Sequence, residues 1–163
     1  MLANISAPPR KGGGFVSRRR LARHTDDVLA RRLSVVQAPA GFGKSTMLRQ
    51  WRDLFAAGGH VAAWLQLDRH ASDIVGLSIA ALVEASAAFR QSVAPLLASR
   101  GEFVTTDAEL AALVAAMQAS DRHVLLLIDD VHLLGAGELR VLERLVDRLP
   151  PNAHIVLASR ETL

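Results

Sequence analysis

One nine-residue stretch, which runs from residue 38 to residue 46, limits the possible fold of this chain more than any other part of the sequence. It follows a short apolar run, Leu33–Gln37, and leads directly into a helical pattern. A strand, a loop of small residues and a helix form the order that a phosphate-binding loop requires. In that order the N–H groups of the loop and the positive end of the helix face the same anion. The predicted loop consists of Ala38, Pro39, Ala40, Gly41, Phe42, Gly43, Lys44, Ser45 and Thr46.

Two side chains in this loop carry its expected chemistry. Lys44 can reach the terminal phosphates of a nucleotide, and the Ser45 hydroxyl can bind a magnesium ion. The usual pattern, Gly-x-x-x-x-Gly-Lys-[Ser/Thr], has glycine at the first position, where this chain has Ala38. We expect this methyl group to be a small departure, because the amides that form the cradle lie nearer Gly41 and Gly43.

Composition sets broad limits on the class of protein. The 163 residues fit one domain. The chain has no cysteine, which excludes disulfides, zinc ribbons and thiol catalysis and is compatible with the cytoplasm that we expect as its location. No apolar run approaches the roughly 18 residues that a membrane span needs, so we expect no membrane partner.

The positive charge of the chain is concentrated at its N-terminus. Residues 1–32 contain eight Arg and Lys against two Asp, whereas the rest of the chain is net acidic. A uniformly basic surface for nucleic acid is therefore not indicated. The basic segment either contacts a nucleotide or nucleic acid or is a solvated tail.

The pattern of apolar runs, together with the predicted loop, predicts a three-layer α/β sandwich of the P-loop NTPase type with a mainly parallel sheet of about four strands. Residues 1–14 are expected to be a flexible leader, and residues 15–163 the nucleotide-binding domain. Strands are expected at Leu33–Gln37, His60–Leu67, Val124–Ile128 and Ala153–Ala158. Helices are expected at Lys44–Ala57, Ile74–Arg90, Ala108–Ala119 and Glu138–Leu149.

Polar residues follow the third and fourth predicted strands. Asp129 and Asp130 come directly after the most apolar run of the chain, and Arg160 follows the fourth strand. Parallel strands place such residues at the ligand-binding edge of the sheet. Asp129 is suited to hold magnesium, or it is a turn or capping residue. Asp130 either orients or deprotonates an attacking water or faces solvent, and Arg160 either senses the γ-phosphate or is solvated.

Several segments together resemble one family. The chain is similar to the N-terminal ATPase domain of the large ATP-binding LuxR-type transcriptional regulators, the maltose-regulator-like branch of the signal-transduction ATPases with numerous domains. The resemblance spans roughly residues 15–163, and its most specific parts are the loop and the segment Ile-Asp-Asp-Val-His. The similar segments are Val16–Leu21, Gln37–Thr46, Ala63–Asp68, Leu126–His132 and Leu157–Arg160.

This resemblance implies an ATP/ADP switch that rests with ADP and self-associates with ATP. By position, it implies that Ala38–Thr46 binds the phosphates and that Asp129 binds Mg²⁺, with Asp130 as its acidic neighbour. It also implies that Arg160 follows the last strand and that the arginines near Arg18 and Arg20 lie by the nucleotide. Such regulators continue through a helical lid, a winged helix, superhelical repeats and a helix-turn-helix, and the resemblance implies that this chain is a truncated piece without them. We therefore expect a piece that would reach DNA only through a domain absent from this chain.

Two alternative functions stay open on the sequence alone. One is an oligomerisation or interaction module whose nucleotide site is vestigial. The other is a small P-loop kinase that phosphorylates a metabolite, although no Arg-bearing lid segment is evident in the sequence.

Overall fold

The computed structural model describes residues 25–99 and 106–162. The leader predicted for residues 1–14, and Arg18 and Arg20, lie outside this range. The strands are β1 (Leu33–Gln37), β2 (Val61–Gln66), β3 (Val124–Asp129) and β4 (Ala153–Ser159). The helices are α1 (Thr25–Leu29), α2 (Lys44–Ala57), α3 (Ile74–Ala85), α4 (Ala87–Ser92), α5 (Ala94–Ser99), α6 (Thr106–Gln118) and α7 (Ala136–Arg148), and a 3-10 turn spans Val131–Leu133.

The four strands form one parallel sheet in the order β1-β4-β3-β2. This arrangement confirms the predicted α/β fold and its parallel sheet. Because all strands run in the same direction, the loop after β1 and the residues that end β3 and β4 lie at one edge of the sheet. The backbone joins two of these ends directly, since Ala38 N–H donates to the Ser159 carbonyl at 3.3 Å.

Alternating side chains of the strands build a core on each face of the sheet. On one face Trp64, Leu127 and Val156 pack with the apolar side of α2 and with Val28 of α1. On the other face Leu126 and Ile155 belong to the larger core that α3, α4, α6 and α7 cover. The central strand β3 is buried at every position, as its uninterrupted apolar run predicted. Trp51 and Trp64 are both buried core residues.

The long helix predicted from Ile74 to Arg90 is wrong, because the chain breaks it into α3 and α4. Asp73 caps α3, accepting a hydrogen bond from Gly76 N–H at 2.8 Å. Ser86 then adopts an extended conformation, and its side chain accepts a hydrogen bond from Phe89 N–H at 3.2 Å. A serine that caps a second helix competes with continuation of the first. The break allows Phe89 to enter the core, where it is 4% exposed.

Strand β1 is an edge strand in the described parts of the chain, where it pairs with β4 alone. Its Val35 side chain is 51% exposed, an unusual environment for a valine in a strand. Of the helices in residues 25–99 and 106–162, none is long and apolar enough to cross a bilayer.

Candidate nucleotide site

The loop between β1 and α2 depends on two glycines with left-handed backbone conformations. Gly41 and Gly43 both have φ of 81°, and Gly43 immediately precedes the first residue of α2. A Cβ on Gly41 would meet no atom within 4 Å, so the requirement for glycine there comes from the backbone angle and not from crowding. Alternating backbone conformations of this kind turn successive N–H groups toward one point, and α2 adds the positive end of its dipole.

Lys44, the first residue of α2, lies across this loop. Its side chain is buried, and Nζ donates hydrogen bonds to the Ala38 carbonyl at 2.5 Å and to the Pro39 carbonyl at 3.0 Å. Asp130 is the sole non-glycine residue with positive φ in the described segments, so Ala38 does not need the conformational freedom of glycine. The alanine at the first position of the motif is therefore compatible with the loop, as its small size predicted.

Asp129, the last residue of β3, is completely buried. Its Oδ1 accepts a hydrogen bond from Asp130 N–H at 2.9 Å, whereas its Oδ2 has no hydrogen-bond partner. Burial raises the pKa of Asp129 above the ordinary 3.8, and the neighbouring Asp130 charge adds to that rise. The Ser45 side chain and the Lys44 ammonium act in the opposite direction and lower this pKa, which shows that both loop residues lie near the Asp129 carboxylate.

The donor set around Asp129 fits a magnesium ion. A buried carboxylate oxygen without a partner is costly by itself, and a cation would satisfy it. Magnesium is usually bound through one or two protein oxygens, with water and substrate phosphates completing an octahedron. The hydroxyl of Ser45 and the free oxygen of Asp129 supply such a pair. Residues 25–99 and 106–162 contain no cluster of three or more His, Asp or Glu side chains that could hold a metal ion.

Asp130 and Arg160 form an ion pair at the same edge of the sheet. Arg160 Nε lies 3.3 Å from Asp130 Oδ1, and the Asp130 side chain is 12% exposed against 51% for Arg160. His132 also faces this carboxylate, with its Nδ1 4.0 Å from Asp130 Oδ1. Of the two alternatives for Asp130, the one in which its side chain faces solvent is therefore excluded, and its role toward an attacking water stays a prediction. The ion pair depends on the adjacency of β3 and β4, which no local pattern in the sequence indicates.

The structure thus brings the residues predicted for the site to one edge in two groups. Ser45 and Lys44 approach Asp129, and Arg160 contacts Asp130, which is joined to Asp129 by the backbone hydrogen bond. Arg18 and Arg20 lie outside the described residues. The roles of all these residues in binding and catalysis stay predictions.

A P-loop between the first strand and the first long helix of a parallel sheet, with a buried aspartate on a distant strand beside it, defines a P-loop nucleotide-binding protein. A sequence comparison narrows the class further. The model of the family described as "AAA domain" matches residues 28–159, so the chain belongs to that family. It is therefore an AAA-family P-loop ATPase domain.

Individual relatives are much longer than this chain. It is 34% identical over 126 residues to the serine/threonine-protein kinase PknK of Mycobacterium tuberculosis, over 74% of this chain and 11% of that protein. It is 30% identical over 135 residues to the HTH-type transcriptional regulator MalT of Cronobacter sakazakii, over 81% of this chain and 14% of that protein. The crystal structure of Cdc6p from Pyrobaculum aerophilum covers 95% of this chain with a TM-score of 0.58 and 17% identity, which is a likeness of fold. This chain covers 42% of that structure.

Proposed function

We propose that this chain is the ATP-binding and slowly ATP-hydrolysing switch domain of a LuxR-type transcriptional regulator. The observation that carries the nucleotide part is the meeting of Lys44 and Ser45 with the buried Asp129, which lies 85 residues beyond Lys44 in the sequence. A lysine, a hydroxyl and a partly unsatisfied carboxylate beside a left-handed glycine loop match the needs of a Mg²⁺-triphosphate. The similarity to the regulator MalT supports the regulatory part.

Each side chain has a definite role in this proposal. The loop amides and Lys44 bind the phosphates, and Lys44 exchanges its two carbonyl partners for phosphate oxygens when nucleotide enters. Ser45 and Asp129 hold Mg²⁺, which would neutralise charge on the phosphates. Arg160 is the cation that responds to the γ-phosphate.

The regulatory consequence is a nucleotide-dependent change in association. ADP would hold the resting form, and ATP would favour contact between copies, while DNA would be reached through a domain outside this chain. The unpaired edge of β1 and the exposed Val35 support an association surface within the described residues. The same edge favours the second candidate function, an interaction module whose nucleotide site no longer turns over. Self-association without nucleotide, with background hydrolysis, would identify that second function.

Lys44→Ala tests the primary proposal by removing one cation from the phosphate site. Loss of hydrogen bonds between charged groups is worth about 1.5–3 kcal/mol, so the dissociation constant for Mg-ATP should rise by about tenfold or more. Calorimetric titration measures this change directly. Arg52→Ala is the matched control, because it removes a positive charge from the same helix at a residue that pairs with its neighbour Asp53.

The control variant should bind Mg-ATP as the unsubstituted chain does. The proposal is refuted if the unsubstituted chain binds neither ATP nor ADP in the presence of magnesium. It is also refuted if Lys44→Ala and Arg52→Ala have equal effects. Transfer of the γ-phosphate to a small metabolite in a substrate screen would instead favour the kinase alternative.

A further inference from the structure

Three histidines meet at the edge of the sheet opposite the candidate nucleotide site. His60 directly precedes β2, His123 directly precedes β3, and His154 is the second residue of β4. The ring centroids of His60 and His123 are 5.2 Å apart, and those of His123 and His154 are 5.1 Å apart. We call this group the histidine cluster. In the part of the chain that the structure describes, it is not arranged to hold a metal ion.

The hydrogen bonds of the cluster determine which ring nitrogens carry a hydrogen. His154 Nδ1 lies 2.8 Å from the Arg31 carbonyl oxygen, which can only accept, so Nδ1 is the donor. In the neutral ring, His154 Nε2 then has no hydrogen and accepts one from His123 Nδ1, which lies 2.9 Å away. The neutral cluster is therefore a directed chain of hydrogen bonds from His123 through His154 to Arg31.

This chain of hydrogen bonds fastens the start of β1 to β4. Arg31 lies two residues before β1, and the carbonyl of the next residue, Arg32, accepts a hydrogen bond from Ile155 N–H at 2.8 Å. Among the described residues β1 pairs with β4 alone. The contacts of Arg31 and Arg32 therefore hold the first end of β1, as the bond from Ala38 N–H to the Ser159 carbonyl holds its last end.

The surroundings of His154 disfavour a positive charge on its ring. His154 is 3% exposed, and the ionisable groups that act on its charge are the two other histidines of the cluster. Burial is the largest effect, and with these neighbours it lowers the pKa of His154 below the ordinary 6.5. The Arg31 carbonyl acts in the opposite direction but does not cancel the effect of burial.

His60 extends the cluster toward α2. Its Nδ1 is buried without a hydrogen-bond partner, and its ring centroid lies 6.3 Å from that of the apolar Phe55 of α2. Burial lowers the pKa of His60, and the nearby His123 and Arg122 lower it further. The ionisable groups that face His60 and His154 are thus all basic, so each added proton makes the next one less favourable.

Protonation also changes the number of donors between His123 and His154. A proton on His154 occupies Nε2, where it faces the His123 Nδ1–H across 2.9 Å, and two donors cannot share one hydrogen bond. His123 avoids this conflict for a first proton by carrying its own hydrogen on Nε2 instead of Nδ1. A second proton leaves N–H groups on both facing nitrogens, and the hydrogen bond is lost.

We propose that the histidine cluster is an acid-sensitive clasp, which holds the segment from α1 to β1 on β4 when it is neutral and releases that segment when both His123 and His154 are protonated. Release frees the Arg31 carbonyl, because the charged His154 ring turns toward water. Strands β2 and β3 stay in place, since they pair with each other and β3 pairs with β4. The proposal does not depend on nucleotide binding.

Amide hydrogen exchange in the 163-residue chain, followed by NMR between about pH 7.5 and pH 5, tests the clasp. The protection of Ile155 N–H, corrected for the intrinsic exchange rate, should fall by up to about tenfold for each pH unit below 6.5. A histidine that is neutral only in the closed form supplies this factor, until its folded-state pKa is reached. The amides of Leu126 and Leu127 in β3, which pairs on both sides, should keep their protection.

His154→Asn provides the main comparison. The asparagine amide still donates to the Arg31 carbonyl but gains no charge in this pH range, so most of the pH dependence at Ile155 should disappear. His123→Asn should also weaken it, because the amide oxygen accepts from a protonated His154, and this variant carries the test if His154→Asn does not fold. His70→Asn is the matched control, since His70 is exposed and outside the cluster, and it should change nothing.

Three outcomes would overturn the proposal. The first is an equal fall of protection at Ile155 and at Leu126, which would mean that acid unfolds the whole chain and not the clasp. The second is an unchanged pH dependence at Ile155 in both His154→Asn and His123→Asn. The third is an NMR spectrum at neutral pH in which His123 carries its hydrogen on Nε2. All three would leave the proposed nucleotide function standing, because the clasp lies at the other edge of the sheet.

Discussion

Replacing Asp129 by asparagine should make the nucleotide-free protein more stable. Asp129 is fully buried, and burial raises its pKa, so the ionised form is disfavoured in the folded state at neutral pH. The attraction of Lys44 and the contact with Ser45 do not outweigh this cost. Asparagine has the same shape and keeps an oxygen to accept the Asp130 N–H, but it carries no charge.

The size of the effect follows from the one unsatisfied oxygen, Asp129 Oδ2. A buried group without a partner costs about 1–3 kcal/mol, and more when charged. Asparagine places a buried amide N–H₂ group where Oδ2 lies, so the substitution recovers only part of this cost, about 1–2 kcal/mol. For a chain of this size each kcal/mol shifts the melting temperature by about 2–4 °C. Asp129→Asn should therefore melt about 2–8 °C higher without nucleotide or magnesium.

The pH dependence of this difference has a definite sign. Because the folded-state pKa of Asp129 is raised, its protonated form stabilises the fold below the ordinary 3.8, and this contribution is lost as the pH rises through the folded-state value. The advantage of Asp129→Asn should therefore be greatest at neutral pH and shrink on acidification. In the same variant, turnover should fall more than nucleotide affinity, and the magnesium dependence of ATP binding should weaken.

Thermal melts in EDTA and in saturating Mg-ATP provide the assay. Mg-ATP at 100 times its dissociation constant should stabilise the unsubstituted chain by about 2.7 kcal/mol. The part of this stabilisation that EDTA removes should be larger in the unsubstituted chain than in Asp129→Asn. Asp107→Asn is the control, since Asp107 is 65% exposed and should change stability by no more than about 0.5 kcal/mol. A nucleotide-free Asp129→Asn that melts below the unsubstituted chain at neutral pH would refute the argument from burial.

Three further predictions concern the loop, the histidines and the junction of two helices. Gly41→Ala should destabilise the chain by about 1–2 kcal/mol because φ there is 81°. Gly137→Ala, inside α7 and with no atom within 4 Å of the new Cβ, should be neutral or slightly stabilising, and equal thermal melts for the two variants would contradict this prediction. Burial lowers the pKa of His60 and of His154 from the ordinary 6.5. The contribution of these neutral side chains to stability is therefore fully present above pH 6.5 and is lost as the pH falls through their folded-state pKa values. The free energy of unfolding, measured in urea at several pH values, should fall over this range, and it should depend less on pH in His154→Leu. An unchanged pH dependence in His154→Leu would contradict this prediction. Glu138 Oε2 accepts a hydrogen bond from the first N–H of α3 at 2.9 Å, so Glu138→Ala should lower the free energy of unfolding by about 1 kcal/mol. Glu138→Gln should recover most of this loss, and equal stabilities of the two variants would show that the contact is dispensable.

Much of the fold could be predicted from the sequence because its signals are local. The bounds of β1 and α2 are those that the apolar run and the glycines indicated, and β3 and β4 extend one residue further than predicted. The break at Ser86 was missed, since the alanine-rich run across it reads as one helix. A serine is a weak signal inside such a run, but here its side chain caps the second helix, and Phe89 of that helix packs in the core.

By itself, the sequence determined the strand-loop-helix unit, the phosphate chemistry of Lys44 and Ser45, and the acid at the end of the most apolar strand. These features depend on neighbours in the chain and on backbone preferences that hold wherever such residues occur. The tertiary structure alone decided three features: the unsatisfied oxygen of Asp129, the pairing of Asp130 with Arg160, and the place of β4 between β1 and β3. The physical reason is that each depends on which strands become neighbours and how deeply a charge is buried. That depth is set by the helices that pack against the two faces of the sheet.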